Sequence, residues 1–235
     1  MTNALEAAQL AKNYNNHIAL HPLELQIPPG QIFCLLGQNG AGKTTTINLF
    51  LGFIEPSSGQ ALINGVNVAK NTDITRQAVA YIPEVVHLYG NLTGVENLYF
   101  FNRLAGFRFS PKELKAFLLK AGLQEEAHEK KLGGYSKGMR QKVGIAIALA
   151  KNASVILMDE PTSGLDPKAT LEFNAICREL SDQGKTILMA THDIFNATSL
   201  GHRIGIMRDG HLKHIVDASG ISAEGLQQLY FESIA

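Results

Sequence analysis

Nine residues, GQNGAGKTT at 37–45, constrain this chain more than any other stretch. They fit the pattern G-x-x-x-x-G-K-[ST], a glycine-rich turn that joins a strand to a helix and wraps a phosphate. The flanks suit that geometry. Residues 32–36, IFCLL, are a continuous apolar run of the kind a strand buried on both faces shows. Thr44 to Phe53 reads as the following helix, with Ile47, Phe50 and Leu51 on one face. Gly37, Gly40 and Gly42 open backbone conformations closed to other residues and allow close approach to a polyphosphate. Gln38, Asn39 and Ala41 complete the turn, Gln38 and Asn39 as turn formers and Asn39, Ala41 and Thr45 through the backbone that faces the anion. Backbone N–H groups and the positive end of the helix meet that anion. Lys43 is placed to reach the outer phosphates and Thr44 to put its hydroxyl on Mg²⁺.

The rest of the chain reads as an α/β fold. Four apolar runs stop at polar punctuation, so a mainly parallel sheet is expected, with its working edge at the strands' C-terminal ends. Gly37, Glu84, Asp159, Glu160 and His192 all fall at such ends. Residues 1–30 and 61–68 read as antiparallel strands, the latter a hairpin turning at Asn64-Gly65. Residues 78–82 read as a further strand of the main sheet. Thr93 with Glu96, and Ser110 with Glu113, have the spacing of helix capping boxes. Tyr99, Phe100, Phe101, Phe107 and Phe109 hold more apolar bulk than one small helical core can bury, so an exposed docking patch is expected. Tyr14, in a polar segment, is either an ordinary surface tyrosine or a ring on which a base stacks.

Charge and cysteine content narrow the partners. Lys+Arg and Asp+Glu are both 21, so the chain lacks the basic excess that backbone-driven nucleic-acid binding uses. No nucleic-acid partner is expected. Cys34 and Cys177 offer neither a disulfide framework nor a metal cluster and read as free thiols of a reducing compartment. Residues 1–11 lack the charged and long apolar regions of a secretory leader, and the apolar runs are far below the ~20 residues of a membrane span.

The motifs together resemble the ATP-binding cassette (ABC) ATPases over essentially the whole chain. In order they are the phosphate loop, the strand end YIPE at 81–84, the signature YSKGM at 135–139, VILMDE at 155–160, SGLD at 163–166, and His192. Glu84 stands where the family usually has glutamine, and YSKGM replaces the usual LSGGQ. Both variants look like a bacterial exporter branch in which a separate permease chain is partnered by this kind of ATPase.

The resemblance implies a P-loop NTPase core with an antiparallel β subdomain and a helical subdomain, within one domain of residues 1–235. The core would comprise residues 31–53, 78–86 and 151–235. The antiparallel subdomain would comprise residues 1–30 and 54–77, and the helical subdomain residues 87–150. The resemblance also implies ATP and Mg²⁺ as cofactors, with Asp159 and Glu84 on the metal side beside Thr44. Glu160 would act as general base, with His192 on the γ-phosphate and Tyr14 under the adenine. Ser136 and Gly138 would close the partner's ATP in a head-to-tail homodimer. The expected function is the ATPase of a membrane exporter, held at the cytoplasmic face of the cell membrane by a multi-span permease. A soluble ABC ATPase acting on ribosomes or DNA is the alternative. A nucleotide kinase would leave the signature segment unexplained.

Overall fold

The computed structural model describes residues 2–234, so Met1 and Ala235, the ends of the expected domain, lie outside it. The chain opens with an antiparallel pair, β1 (Leu5–Tyr14) and β2 (His17–Ile27). β3 (Ile32–Leu36) is buried at every residue and leads through the glycine-rich loop into α1 (Lys43–Leu51). β4 (Ser58–Ile63) and β5 (Val66–Asn67) form the expected hairpin. Asn64 (φ 51°) and Gly65 (φ 78°) both take the positive φ that its tight turn requires. α2 (Thr72–Ala78) precedes β6 (Val79–Ile82). No helix was expected at α2, because seven residues with only Thr75 buried carry no readable apolar period.

A helical segment follows: α3 (Gly94–Leu104), α4 (Pro111–Lys120), the single turn α5 (Glu125–His128) and α6 (Lys137–Ala150). Both capping boxes form, at Thr93 with Glu96 and at Ser110 with Glu113, and Pro111 occupies the first turn of α4. The chain then returns through β7 (Val155–Asp159), α7 (Pro167–Asp182), β8 (Thr186–Thr191) and α8 (Ile194–Leu200). β9 (Arg203–Arg208), β10 (His211–Asp217) and α9 (Ala223–Ile234) complete it.

Two sheets result. The larger has the order β10-β9-β3-β8-β7-β6, parallel except for β10; the smaller has the order β2-β1-β4-β5 and is antiparallel. Strand side chains alternate between faces, and β3 shows what this does. Ile32, Cys34 and Leu36 join one core with α4, α6 and α7, whereas Phe33 and Leu35 join another with α1 and the antiparallel sheet. α1 therefore lies between the two sheets, touching β2 and β4 on one side and β7 and β8 on the other. That clamps the phosphate loop's helix on both flanks.

The antiparallel sheet bends at a bulge in β1, where pairing shifts between Ala8 and Ala11 and Gln9 has φ 50°. Gly59 faces it at φ 71°, and a Cβ there would stand 2.0 Å from the Gln9 carbonyl oxygen. Only glycine fits that crossing. Cys34 and Cys177 are both buried thiols, and burial pushes Cys34 up to about 12 and raises Cys177 as well. No helix among the described residues is long and apolar enough to cross a membrane.

Candidate functional site

Parallel pairing brings the punctuated strand ends together. Leu36 pairs with Thr191, Ala190 with Asp159, and Met158 with Ile82, so the residues after β3, β6, β7 and β8 share one edge. There a cavity of about 500 Å³ is lined by Tyr14, Lys43, Thr44, Glu84, Asp159 and Glu160. Gln38, Asn39, Gly40, Gly42 and Thr45 of the loop also line it.

The three loop glycines serve two purposes. Gly40 (φ 84°) and Gly42 (φ 100°) need the left-handed conformation, and Gly42 ends it as the N-cap of α1. Gly37 has no such φ; a Cβ on it would lie 2.6 Å from the Met207 carbonyl oxygen, so it is glycine for lack of room. Gly37 and Ala41 do not line the cavity. The Ala41 N–H donates to the Gln38 carbonyl, and its own carbonyl accepts from Gly210, so it braces the loop against the β9–β10 turn. The first helical hydrogen bond runs from the Thr46 N–H to the Gly42 carbonyl. The amides of Lys43, Thr44 and Thr45 ahead of it have no intrahelical partner and are free for an anion.

Lys43 is only 5% exposed, and a buried ammonium needs oxygen partners. It donates to the carbonyls of Gly37 at 2.6 Å and Gln38 at 3.2 Å and lies 3.3 Å from Glu160 Oε1. Glu160 sits at φ 46°, with its N–H bonded to the Ala190 carbonyl. Its Oε2 accepts from the His192 backbone N–H at 3.3 Å and lies 2.9 Å from His192 Nδ1. An ionised carboxylate only accepts, so Nδ1 carries the hydrogen there. Oε1 is buried and, among the described residues, accepts no hydrogen bond, with Lys43 Nζ 3.3 Å away. His192 itself stays largely exposed and reaches the site through Glu160.

Thr44 Oγ1 donates to Asp159 Oδ2 at 2.9 Å. Burial holds the Asp159 carboxyl above its ordinary range; Glu160 and Glu84 add to this, and the Thr44 hydrogen bond and Lys43 oppose it. Thr44, Asp159 and Glu84 present only oxygens, the donor set a hard divalent cation takes. Glu84 Oε1 accepts from Ser163 Oγ at 3.1 Å, which ties the residue after β6 to the segment ahead of α7. Tyr14 ends β1 and is 45% exposed. Lys12 Nζ lies 4.9 Å from its ring centroid, so a cation occupies one face.

Ser136 and Gly138 do not line this cavity. Ser136 is the N-cap of α6, accepting from the Met139 N–H at 3.3 Å. Tyr135 beside it is buried, and its hydroxyl donates to the Ala127 carbonyl. The structure thus separates the signature from the chain's own phosphate loop.

Three contributors escaped the sequence reading. His17 and Ala19 follow Tyr14 in the cavity wall, placed there by a hairpin register the sequence does not announce. Gln141, 1% exposed on α6, donates to the Glu84 carbonyl at 3.1 Å and binds the signature helix to the end of β6. Its only signal was a polar residue on the apolar face of a helix.

The ABC transporter family's sequence model matches residues 20–163. The chain belongs to that family. This ABC cassette is 34% identical over 212 residues to the daunorubicin/doxorubicin resistance ATP-binding protein DrrA of Streptomyces peucetius, covering 90% of this chain and 64% of DrrA. It is 33% identical over 233 residues to the bacitracin transport ATP-binding protein BcrA of Enterococcus faecalis, covering 99% of this chain and 75% of BcrA. An ATP-binding subunit of an ABC transporter superposes with a TM-score of 0.86 at 30% identity, covering 99% of this chain and all of that one (100%). The cassette MJ0796, solved as a dimer with ADP and Pi, gives 0.82 at 27% identity, covering 92% and 100%. The cassette is an ATP-binding, ATP-hydrolysing subunit of the ABC transporter class.

The Asp159 environment makes a testable demand on stability. The fold keeps this carboxyl protonated to higher pH than the unfolded chain does, so its contribution weakens the fold as pH rises from ~4 through the raised value. Above that window the penalty is fully present. Asp159→Asn, which keeps an oxygen for Thr44, should raise the Tm of the nucleotide-free protein at pH 7, and the gain should vanish by about pH 3. Calorimetry across that range checks this. An unchanged or lower Tm at pH 7 would mean that Thr44 and Lys43 already compensate the buried charge.

Proposed function

We propose that this chain is the energy-coupling ATPase of a bacterial exporter, working as a head-to-tail homodimer beneath a separate multi-span permease at the cytoplasmic face of the cell membrane. The observation that carries the reading is the split site. The phosphate loop, Asp159 and Glu160 share one cavity, while Ser136 and Gly138 stand outside it at the exposed start of α6. A second copy facing the loop would supply the missing signature. The named functions of DrrA and BcrA, drug resistance and bacitracin transport, support the exporter direction. MJ0796 supports the dimer. The division of labour follows the expected blocks, with 87–150 as the helical subdomain, 1–30 and 54–77 as the antiparallel subdomain, and the remainder as the nucleotide core.

Each residue's role follows from its chemistry. Tyr14 offers its free face to the adenine, while Lys12 holds the other. The amides from Asn39 to Thr45 and the Lys43 ammonium bind the phosphates, with Lys43 exchanging loop carbonyls for phosphate oxygens. Thr44, Asp159 and Glu84 would hold Mg²⁺, which neutralises charge on the phosphates when bound. Glu160 takes the proton of the attacking water at Oε1, the oxygen with no hydrogen bond, while His192 Nδ1–H fixes Oε2. His192 would reach the γ-phosphate through Nε2 as a hydrogen-bond donor, which requires both ring nitrogens to carry hydrogen.

Losing a general base costs on the order of 10²–10⁴ in rate. Single-turnover hydrolysis by Glu160→Gln should fall by that much with ATP still bound. Glu84→Gln keeps an oxygen for the metal and should stay within about tenfold, or ~1.4 kcal/mol of barrier. Equal loss in both, with ATP and Mg²⁺ bound, would overturn the division of roles.

Permease contact is assigned to the surface around α3. Tyr89, Phe100 and Phe101 form an aromatic cluster with centroids 5.0–6.1 Å apart, and Tyr99 beside it is half exposed. Phe101 also lines an apolar cavity of about 500 Å³ with Val85, Val86, Leu88 and Ile147, directly after Glu84. A partner seated there would touch the segment that carries a metal-side carboxylate. Tyr99→Ser with Phe100→Ser should lower transport in permease-containing vesicles by about tenfold or more and leave basal ATPase within about twofold. Unchanged transport would move the contact elsewhere, and lost folding would make these residues core.

A further inference from the structure

Phe107 and Phe109 belong to a different place from Tyr99 and Phe100. They stack on each other with ring centroids 6.1 Å apart, and Phe109 meets Phe117 of α4 edge-on at 5.1 Å. These rings wall a separate cavity of about 440 Å³, floored by Leu149 at the end of α6 and by Ile176 and Leu180 of α7. The cavity lies beside Asn152 and Lys185, which precede β7 and β8, so it is at the opposite end of the sheet from the phosphate loop. It shares no lining residue with the nucleotide cavity or with the permease surface.

Its rim is cationic. Lys120, Lys151 and Lys185 line it against one carboxylate, Glu179. Among the described residues none of these lysines forms an ion pair. Lys151 Nζ donates to the carbonyls of Arg76 and Val79, both at 2.6 Å, and Lys185 Nζ to Asn152 Oδ1 at 2.7 Å. Carbonyl dipoles orient an ammonium without neutralising it, and burial lowers the Lys151 pKa below its ordinary range. Elsewhere in the chain Lys142 and Lys115 have found carboxylates at 2.6 and 2.7 Å. An apolar hollow of this size bordered by lysines with no carboxylate partner is the pattern of a ligand site.

We propose that this cavity binds an amphipathic carboxylate: an aliphatic or aromatic body lies against the Phe107, Phe109 and Phe117 rings, and its anionic head meets Lys120 and Lys185. A permanent apolar core contact would not need the charged rim, and a nucleotide would find no phosphate cradle here. The ligand would bridge the α3–α4 link to α6 and α7, the helices that follow the signature and the SGLD segment.

Calorimetric titration of the full chain with dodecanoate, against dodecyltrimethylammonium as the same tail with a cationic head, tests this below micelle-forming concentrations. Dodecanoate should saturate at one site and bind at least about tenfold tighter than the cation. Lys120→Glu, an exposed substitution, should cut dodecanoate affinity about tenfold or more, and Ile176→Trp should block it by filling the floor. Circular dichroism on both variants confirms folding, and Lys120→Glu alone decides the matter if Ile176→Trp does not fold. Equal affinity for the two heads, non-saturating uptake, or unaffected binding by Lys120→Glu would overturn the proposal. So would saturation by an acidic amphipathic peptide with no binding of dodecanoate, which would make the hollow a protein-docking site.

Discussion

A buried ammonium at the mouth of a glycine-rich turn sets the terms for everything around it. Lys43 cannot lie at 5% exposure without oxygen neighbours, and the chain supplies two loop carbonyls and one edge of Glu160. These partners are replaceable. Phosphate oxygens would offer the same ammonium a stronger charge-assisted set, and in the proposed role an anion would take the place of the loop carbonyls and of Glu160 Oε1. His192 holds Oε2 at 2.9 Å, a contact that would keep the carboxylate oriented if its lysine partner left. Lys43, Glu160 and His192 thus form a closed ionic circuit.

That circuit works only on a rigid base. The alternating faces of β3 feed two separate cores, and α1 is gripped between the parallel and antiparallel sheets. The loop is further braced where Gly210 donates to the Ala41 carbonyl and where a Cβ on Gly42 would approach the Ala19 carbonyl oxygen at 2.9 Å. In contrast, the helical segment meets this core through few polar ties. One is Gln141 to the carbonyls of Pro83 and Glu84, and another is Lys142 with Glu172 on α7. Glu84 sits at one of these joints.

The sheet, the capping boxes and the Asn64-Gly65 turn were legible because each depends on local rules: apolar runs, side-chain spacing and positive φ. The convergence of Gly37, Glu84, Asp159, Glu160 and His192 followed from one topological rule about strand ends. What stayed hidden depended on register and space. Gly37 looked like its neighbours, yet it is glycine because the Met207 carbonyl crowds it. His17 and Ala19 reach the site through the register of the β1–β2 hairpin, where Tyr14 pairs with His17, and Gln141 through a contact with Glu84 on a distant element. The five aromatics between 99 and 109 read as one patch, but past the turn at Gly106 (φ 87°) Phe107 and Phe109 line a hollow of their own, away from exposed Tyr99 and Phe100 and from the cavity that Phe101 lines. α2 was silent because it buries almost nothing.

The central claim is that one chain holds only half of a hydrolytic site. Mixing two disabled chains tests it directly. Lys43→Ala keeps the signature and loses the phosphate loop; Ser136→Arg does the reverse. A mixed dimer contains one site made of the intact loop and the intact signature, and one doubly broken site. With equimolar chains, half the dimers are mixed and each has one good site of two, so ATPase activity should return to roughly a quarter of the wild-type rate if sites act independently. Activity in the mixture no greater than the sum of the two separate variants would contradict the account, because it would place the signature and the loop of each working site on the same chain.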